Sequence, residues 1–317
     1  MATLLPAVDP LAQEAVDAIH GTFGVSDPPA RAVHVKGAWA RGTFTAMPEG
    51  TALCRAPFLT GEPVEALVRF STGGGNPAAH DGERDGRGIA VKLFIGGVQE
   101  TTDLLGISVP AFSSRTPEDF IEMVKLARRD PETGQPDLEK LGPFLEAHPE
   151  TMASIQNRFA TPPPASWCEL AYNGIHAFRW TAPDGAQRWV RTRWVPEDGP
   201  GEGLADEDAM AKDPGYLSAE LRERLTEGGV AYTLLARIGA DGDTTTDPTA
   251  AWPEEREAVA AGRLLLDAAI DDPETATDIH VFDPLRVCDG IEPSDDPILH
   301  FRRKAYDVSA RGRWAGA

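Results

Sequence analysis

Two short stretches near opposite ends of the chain hold the side chains best suited to chemistry. In Arg31-Ala32-Val33-His34-Val35-Lys36-Gly37 a single imidazole stands between two cations. Imidazole titrates near neutral pH, so it can take a proton from one atom and return it to another within a reaction cycle. In Arg302-Arg303-Lys304-Ala305-Tyr306, with Arg311 and Arg313 beyond, a phenol follows a guanidinium by four residues. A phenol titrates near ~10 in water, and positive charge at hand, which an arginine supplies permanently, favours its phenolate. Alone, a histidine in an apolar stretch or a tyrosine near a terminus is more often structural. Cys54, Cys168 and Cys288 form neither a CxxC site nor a disulfide framework and are expected as buried, reduced thiols.

Periodicity predicts the elements that must position these groups. Residues 9–20 read as a helix with Asp9 as N-cap and Pro10 in the first turn; Leu11, Ala15, Val16 and Ile19 form its apolar face, and Gly21 stops it. From Arg31 the alternating runs RAVHVKGAWARGTFTA, ALVRFST and GIAVKLFI predict antiparallel strands. A second helix is predicted over 117–129, started by Thr116, Pro117 and Asp119, with Phe120, Met123, Val124 and Ala127 inward. Helix and loop fill 130–165. Strands return at Asn173–Trp180 and Gln187–Val195, joined across Pro183-Asp184-Gly185. Residues 196–229 read as acidic loop and short helices, with 197–208 as the one weak linker candidate. AYTLLARI and RLLLDAAI suit strand or helix equally by pattern. Residues 1–317 are expected as one domain, with an N-terminal helix within 1–24 and a β-rich core with helices over 31–315.

Composition bounds the partners. Fifty acidic against 30 basic residues give a net charge of −20, which repels phosphate backbones and anionic headgroups. Nucleic acid and membrane are therefore not expected partners. No signal-peptide pattern opens the chain and no apolar run is long enough to cross a bilayer, so a reducing, cytoplasmic setting is expected.

The two stretches belong to a longer ordered set. Between them stand Val68-Arg69-Phe70-Ser71-Thr72 and Arg87-Gly88-Ile89-Ala90-Val91-Lys92. Asp247, Thr249, Trp252 and Pro253 follow, then Gly262-Arg263-Leu264, then Phe282, Pro284, Gly290, Ile291 and Ser294. In this order they resemble the catalase family. The likeness lies in its R-x-V-H-x-K-G distal motif, its V-R-F-S-T and R-G-F-A-V-K strands, its D-x-T-x-x-W-P and V-G-R-L segments and its R-x-x-x-Y proximal motif. The set is specific where any one motif would be weak.

The resemblance implies an α+β fold, a catalase-type antiparallel β-barrel with peripheral helices, in which RLLLDAAI is a strand. It implies one haem b per chain, with Tyr306 as the proximal iron ligand and the Arg302 guanidinium favouring its phenolate. His34 becomes the distal base that moves a proton between the two oxygens of a bound peroxide, and Ser71 its hydrogen-bond partner. Arg31, Arg69 and Arg313 match the arginines that hold the haem propionates, with Arg311 as a further contact. Val33, Phe112 and Phe120 lie against the cofactor. His20, His80, His148, His176, His280 and His300 match no catalytic position and keep a solvated or structural reading.

One segment departs from the family pattern. Gly106-Ile107-Ser108-Val109-Pro110 stands where catalases have G-N-N-T-P. Ile107 takes the asparagine's position, so a hydrogen-bond donor to peroxide is gone; Ser108 replaces it only if the backbone shifts. This loss weighs on orienting a second hydrogen peroxide for oxidation. The chain is also shorter than the family's N-terminal arm, wrapping segment and C-terminal helical region require. Both departures imply a small catalase-related peroxidase, reducing organic peroxides or hydrogen peroxide with an external organic electron donor, as a homodimer. A weak catalase and a hydroperoxide isomerase or lyase are the alternatives on this fold. Haem binding without turnover is disfavoured by the pairing of His34 with Tyr306.

Overall fold

The structure, a computed structural model, describes residues 7–25, 30–97, 100–130, 132–274 and 279–315. Helix α1 (Pro10–Phe23) opens it, with the Asp9 carboxylate accepting from the Leu11 and Ala12 N–H groups and Pro10 at a position that needs no donor. The helix continues past Gly21 and ends where Gly24 turns left-handed, at φ 88°. One glycine in a last turn weakens a helix without stopping it.

Strands β1 (Gly37–Ala46), β2 (Val64–Thr72), β3 (Arg87–Phe94) and β4 (Thr101–Ile107) follow, with the short helix α2 (Pro48–Leu53) after the first. Next come α3 (Pro117–Leu126), α4 (Leu138–Ala147) and α5 (Pro149–Ala160), then β5 (Tyr172–Asn173), β6 (Phe178–Thr181) and β7 (Gln187–Pro196). Helices α6 (Asp206–Met210) and α7 (Tyr216–Glu227) lead into β8 (Val230–Ile238) and β9 (Ala258–Ile270), and β10 (Ile291–Pro293) and α8 (Pro297–Ala315) complete the chain.

Every described strand pairing is antiparallel, and the sheet closes on itself. Around the barrel run β1, β2, β3, β4, β5, β7, β8 and β9, which returns to β1; β6 and β10 extend from β7. Closure leaves these eight strands without a free edge. Inward positions bury Phe44, Val68, Phe70, Val91, Leu93, Trp194, Leu234 and Leu264. Two tyrosines bring polar tips inside, and both are satisfied: Tyr172 and Tyr232 donate to the Trp167 carbonyl at 2.8 and 3.1 Å. At Gly42, where the β1–β9 register shifts, a Cβ would lie 2.0 Å from the Leu265 carbonyl oxygen, so only glycine fits.

The sequence expectations hold for the barrel and differ in several details. AYTLLARI and RLLLDAAI are the barrel strands β8 and β9. The run from Arg31 becomes a strand only at Gly37. The second helix ends at Leu126. Asn173–Trp180 is broken into β5 and β6, because the chain leaves the barrel at Gly174 and buries His176 against the base of α8. Residues 197–208 are tied back to the body by the Gly201 N–H on the Glu169 carbonyl and the Leu204 N–H on that of Pro163, and so do not behave as a linker. Cys54 and Cys168 are buried and Cys288 only partly so; all three are free thiols. Burial pushes Cys168 up to about 12 and Cys288 to about 11, so neither is a thiolate at neutral pH. Among the described residues no helix is long and apolar enough to cross a membrane.

A second apolar cluster lies outside the barrel. Ala12, Ala15, Val16 and Ile19 of α1 meet Ile121 and Val124 of α3 and Phe301 and Val308 of α8. The site forms between these helices and the barrel wall.

Candidate active site

Across β2, β3, β4 and β5 the pairs Ser71–Gly88, Gly88–Ile107 and Ile107–Asn173 lie in register. Directly opposed residues share a face, and their neighbours Phe70, Ile89 and Tyr172 point into the barrel, so this row faces out. It forms one wall of a cavity of about 400 Å³, within the range of small-molecule and cofactor sites. Helices α1, α3, α5 and α8 and the loops around residues 31–34, 109–113 and 280–282 supply most of the rest.

His34 lies against this wall. A Cβ on Gly88 would come within 3.0 Å of its ring, so the bare backbone there admits the imidazole. Its Nδ1 is 3.0 Å from Ser71 Oγ. His34 is the one non-glycine residue with positive φ, 55°, among the described residues. Such a conformation costs about 1–3 kcal/mol and persists only where surroundings impose it. Here Arg69 imposes it, donating from Nη1 to the His34 carbonyl at 2.8 Å and from Nη2 to the Val35 carbonyl at 2.9 Å. The left-handed turn at His34 interrupts the extended run, and the strand starts only at Gly37. Burial, then the charges of Arg69 and Arg302, push the His34 pKa down to about 4. At neutral pH the ring is uncharged and can accept a proton.

Tyr306 lines the same cavity from α8. Arg302, one turn earlier, donates to its hydroxyl from Nε at 3.0 Å and Nη2 at 2.7 Å, which stabilises negative charge on that oxygen. The third guanidinium nitrogen, Nη1, is 2.9 Å from His176 Nε2, and His176 Nδ1 is 2.7 Å from Asp296 Oδ2. Arginine only donates, so Nε2 must accept and the ring proton sits on Nδ1, facing Asp296. Burial foremost pushes His176 down to about 4, in keeping with this neutral tautomer. The other Asp296 oxygen accepts from the Ile298 and Leu299 N–H groups at the start of α8. The chain Asp296–His176–Arg302–Tyr306 thus fixes the guanidinium on the phenol. Of the two readings given to His176, solvated or structural, the structural one holds: it is 4% exposed and supports the site from behind. Sequence reasoning missed the contact to Arg302 and missed Asp296; the signal available was Asp296-Pro297 as a helix start ahead of Arg302, while nothing local marks His176.

Arg31, Arg69 and Arg313 line the cavity together. Arg31 and Arg313 pair with Glu274 at 2.6 and 3.0 Å, and Arg31 and Arg69 both lie over the Trp39 ring. Burial, then the charge of Arg31, pushes Arg69 down to about 9. The Nε atoms of Arg69 and Arg313 are buried without a partner. Two of these three guanidinium groups share one carboxylate and Arg69 pairs with none, which leaves positive charge unmatched, and these residues fit a dianionic group such as haem with its two propionates. Arg311 departs from expectation: it pairs with Asp307 at 2.7 Å and lines a smaller pocket beside α1. Val33, Phe112 and Phe120 line the main cavity, the two phenyl rings 5.7 Å apart. Ile107 lines it too, whereas the Ser108 hydroxyl accepts from the Arg87 N–H at 2.9 Å, away from it. Among the described residues no three His, Cys, Asp or Glu converge as metal ligands.

Comparison with known proteins decides the family. The Catalase sequence profile matches residues 18–317. This chain belongs to the catalase family. It is 41% identical over 301 residues to a catalase-related peroxidase of Mycolicibacterium paratuberculosis, covering 95% of this chain and 94% of that one. It is 35% identical over 303 residues to a catalase-related peroxidase of Synechococcus elongatus, covering 96% and 88%. Among solved structures a fungal catalase superposes with a TM-score of 0.80 at 25% identity, covering 90% of this chain and 60% of that one. Catalase A of Saccharomyces cerevisiae superposes at 0.79 and 23% identity, and this chain spans 61% of its length.

Proposed function

We propose that the chain is a haem-dependent peroxidase that reduces organic peroxides, and hydrogen peroxide, with an external organic electron donor. One observation carries the reading: an uncharged His34 on Ser71 and an Arg302-backed Tyr306 face one cavity, with Ile107 between the polar groups of its wall. Tyr306 would hold the iron, and Arg31, Arg69 and Arg313 the propionates. Haem bound there supplies a coordination site for one peroxide oxygen and the electrons that break the O–O bond. His34 takes the proton from the inner peroxide oxygen and delivers it to the outer one, so that an alcohol or water leaves uncharged. Ser71 holds the ring while it does so. The apolar Ile107 side chain gives the carbon chain of an organic peroxide a surface to pack on. Both named catalase-related peroxidases support the assignment. No cysteine lines the cavity, which favours non-covalent haem b, one per chain. The setting we propose is a cytoplasmic homodimer.

The test uses the protein purified with haem. Oxygen release from hydrogen peroxide is compared with oxidation of a dye by an alkyl hydroperoxide, and the second is expected to dominate. His34→Ala should slow the reaction with peroxide by about a hundred- to ten-thousand-fold, the usual worth of a general acid–base group. Rapid oxygen release without dye oxidation would make the protein a catalase instead.

A further inference from the structure

Asn173 closes the wall row, one strand beyond Ile107. Its Nδ2 donates to the Ile107 carbonyl at 3.4 Å and to the Val109 carbonyl at 3.2 Å. Two carbonyl partners can only face the amino group, so the amide orientation is fixed and both of its protons are engaged. The carbonyl oxygen, Oδ1, has no protein partner among the described residues and is not sealed in the interior, while Asn173 itself lines the cavity. Its strand partner Ile107, its hydrogen-bond partner Val109 and its chain neighbour Ile175 line the cavity with it. The cavity therefore presents a hydrogen-bond acceptor on an apolar surface, and this amide cannot serve as the donor missing at Ile107.

We propose that Asn173 sets specificity for the electron donor, by accepting a hydrogen bond from the hydroxyl of a neutral phenol-class molecule whose ring packs against Ile107 and Ile175. The inference rests on the peroxidase reading and names the donor class for it. A phenol satisfies Oδ1, a phenolate is repelled by it, and an aryl ether leaves it unpaired in a desolvated position. Sites built around a buried polar group discriminate in this way. The reaction balances with two such donors: each gives one electron and one proton, and a peroxide ROOH yields ROH, water and two phenoxyl radicals.

The test is equilibrium binding to the ferric haem protein, followed by the change in its absorption spectrum, with phenol and its methyl ether anisole. Wild type should bind phenol about threefold to tenfold more tightly than anisole, the worth of one net hydrogen bond. In Asn173→Ala and Asn173→Leu the two ligands should bind equally. A purely structural role for Asn173 would shift both ligands by the same factor and keep their ratio. Equal affinities in wild type, or a phenol preference that survives in either variant, overturns the proposal while leaving the peroxidase reading in place. Absence of dye oxidation by an alkyl hydroperoxide in wild type removes the peroxidase reading and this inference with it.

Discussion

His34 is held uncharged by its surroundings, and that has a measurable consequence in acid. Burial, with the charges of Arg69 and Arg302, lowers its pKa from 6.5 to about 4. Unfolding restores the ordinary value, so between these limits the unfolded chain binds a proton that the folded chain refuses. Stability is therefore intact above 6.5 and is lost as pH falls towards 4. The full gap, about 2.5 pH units at ~1.36 kcal/mol each, is worth about 3 kcal/mol, and about 2.5 kcal/mol of it falls between pH 7.5 and 4.5. His34→Asn removes the titration and places at φ 55° a residue that tolerates left-handed backbone better. Urea unfolding followed by tryptophan fluorescence at the two pH values measures it, with equal slopes required. Carboxylates and His176 titrate in both proteins and cancel in the comparison. The variant should lose about 2.5 kcal/mol less than wild type on acidification. An equal loss in both would mean that His34 carries no such burden, and the argument for its uncharged state would fall.

Tyr306→Phe removes the oxygen that accepts both Arg302 hydrogen bonds; haem content should drop or the ferric spectrum change, with activity largely abolished, and an unchanged spectrum and stoichiometry would rule the ligand assignment out. His176→Leu strips acceptor and donor from the buried relay and should destabilise the protein by about 3 kcal/mol in urea unfolding, since each orphaned buried partner costs about 1–3 kcal/mol; a loss below ~1 kcal/mol would show that the relay is not held together. Ile107→Asn should raise oxygen release from hydrogen peroxide several-fold, through one restored bond worth about 0.5–1.5 kcal/mol, and weaken apparent affinity for a bulky alkyl hydroperoxide; an unmoved ratio of the two activities would refute the role given to Ile107.

The barrel was legible because its strands obey local rules: alternation in β2 and β3 and a glycine turn between β6 and β7 are written in adjacent residues. β9 was ambiguous for the opposite reason. Its pattern alone suits a helix, and what makes it a strand is pairing with β1 and β8, a non-local fact. The same limit applied at residues 31–36. Periodicity promised a strand there, but the backbone turns left-handed at His34, φ 55°, and the His34 and Val35 carbonyls face the Arg69 guanidinium. His34 and Tyr306 were legible through family motifs. His176 and Asn173 were not, since the first acquires its role from Asp296 and Arg302, over a hundred residues away in sequence, and the second from a two-residue strand.

Arg69 ties the two halves of the site together. Its two terminal nitrogens hold the strained loop that presents His34, while its buried Nε remains without a partner and the side chain lines the cavity with Arg31 and Arg313. The same guanidinium is, after burial, the largest contributor to the depressed His34 pKa. An anion seated against these arginines neutralises part of that charge without loosening the carbonyl contacts. The base would then keep its position and gain affinity for a proton, so that on the proposed function cofactor binding and proton transfer would be linked through one side chain. A lysine at 69 would break the link, because a single ammonium cannot hold two carbonyls in a fixed plane and also face an anion through a third nitrogen.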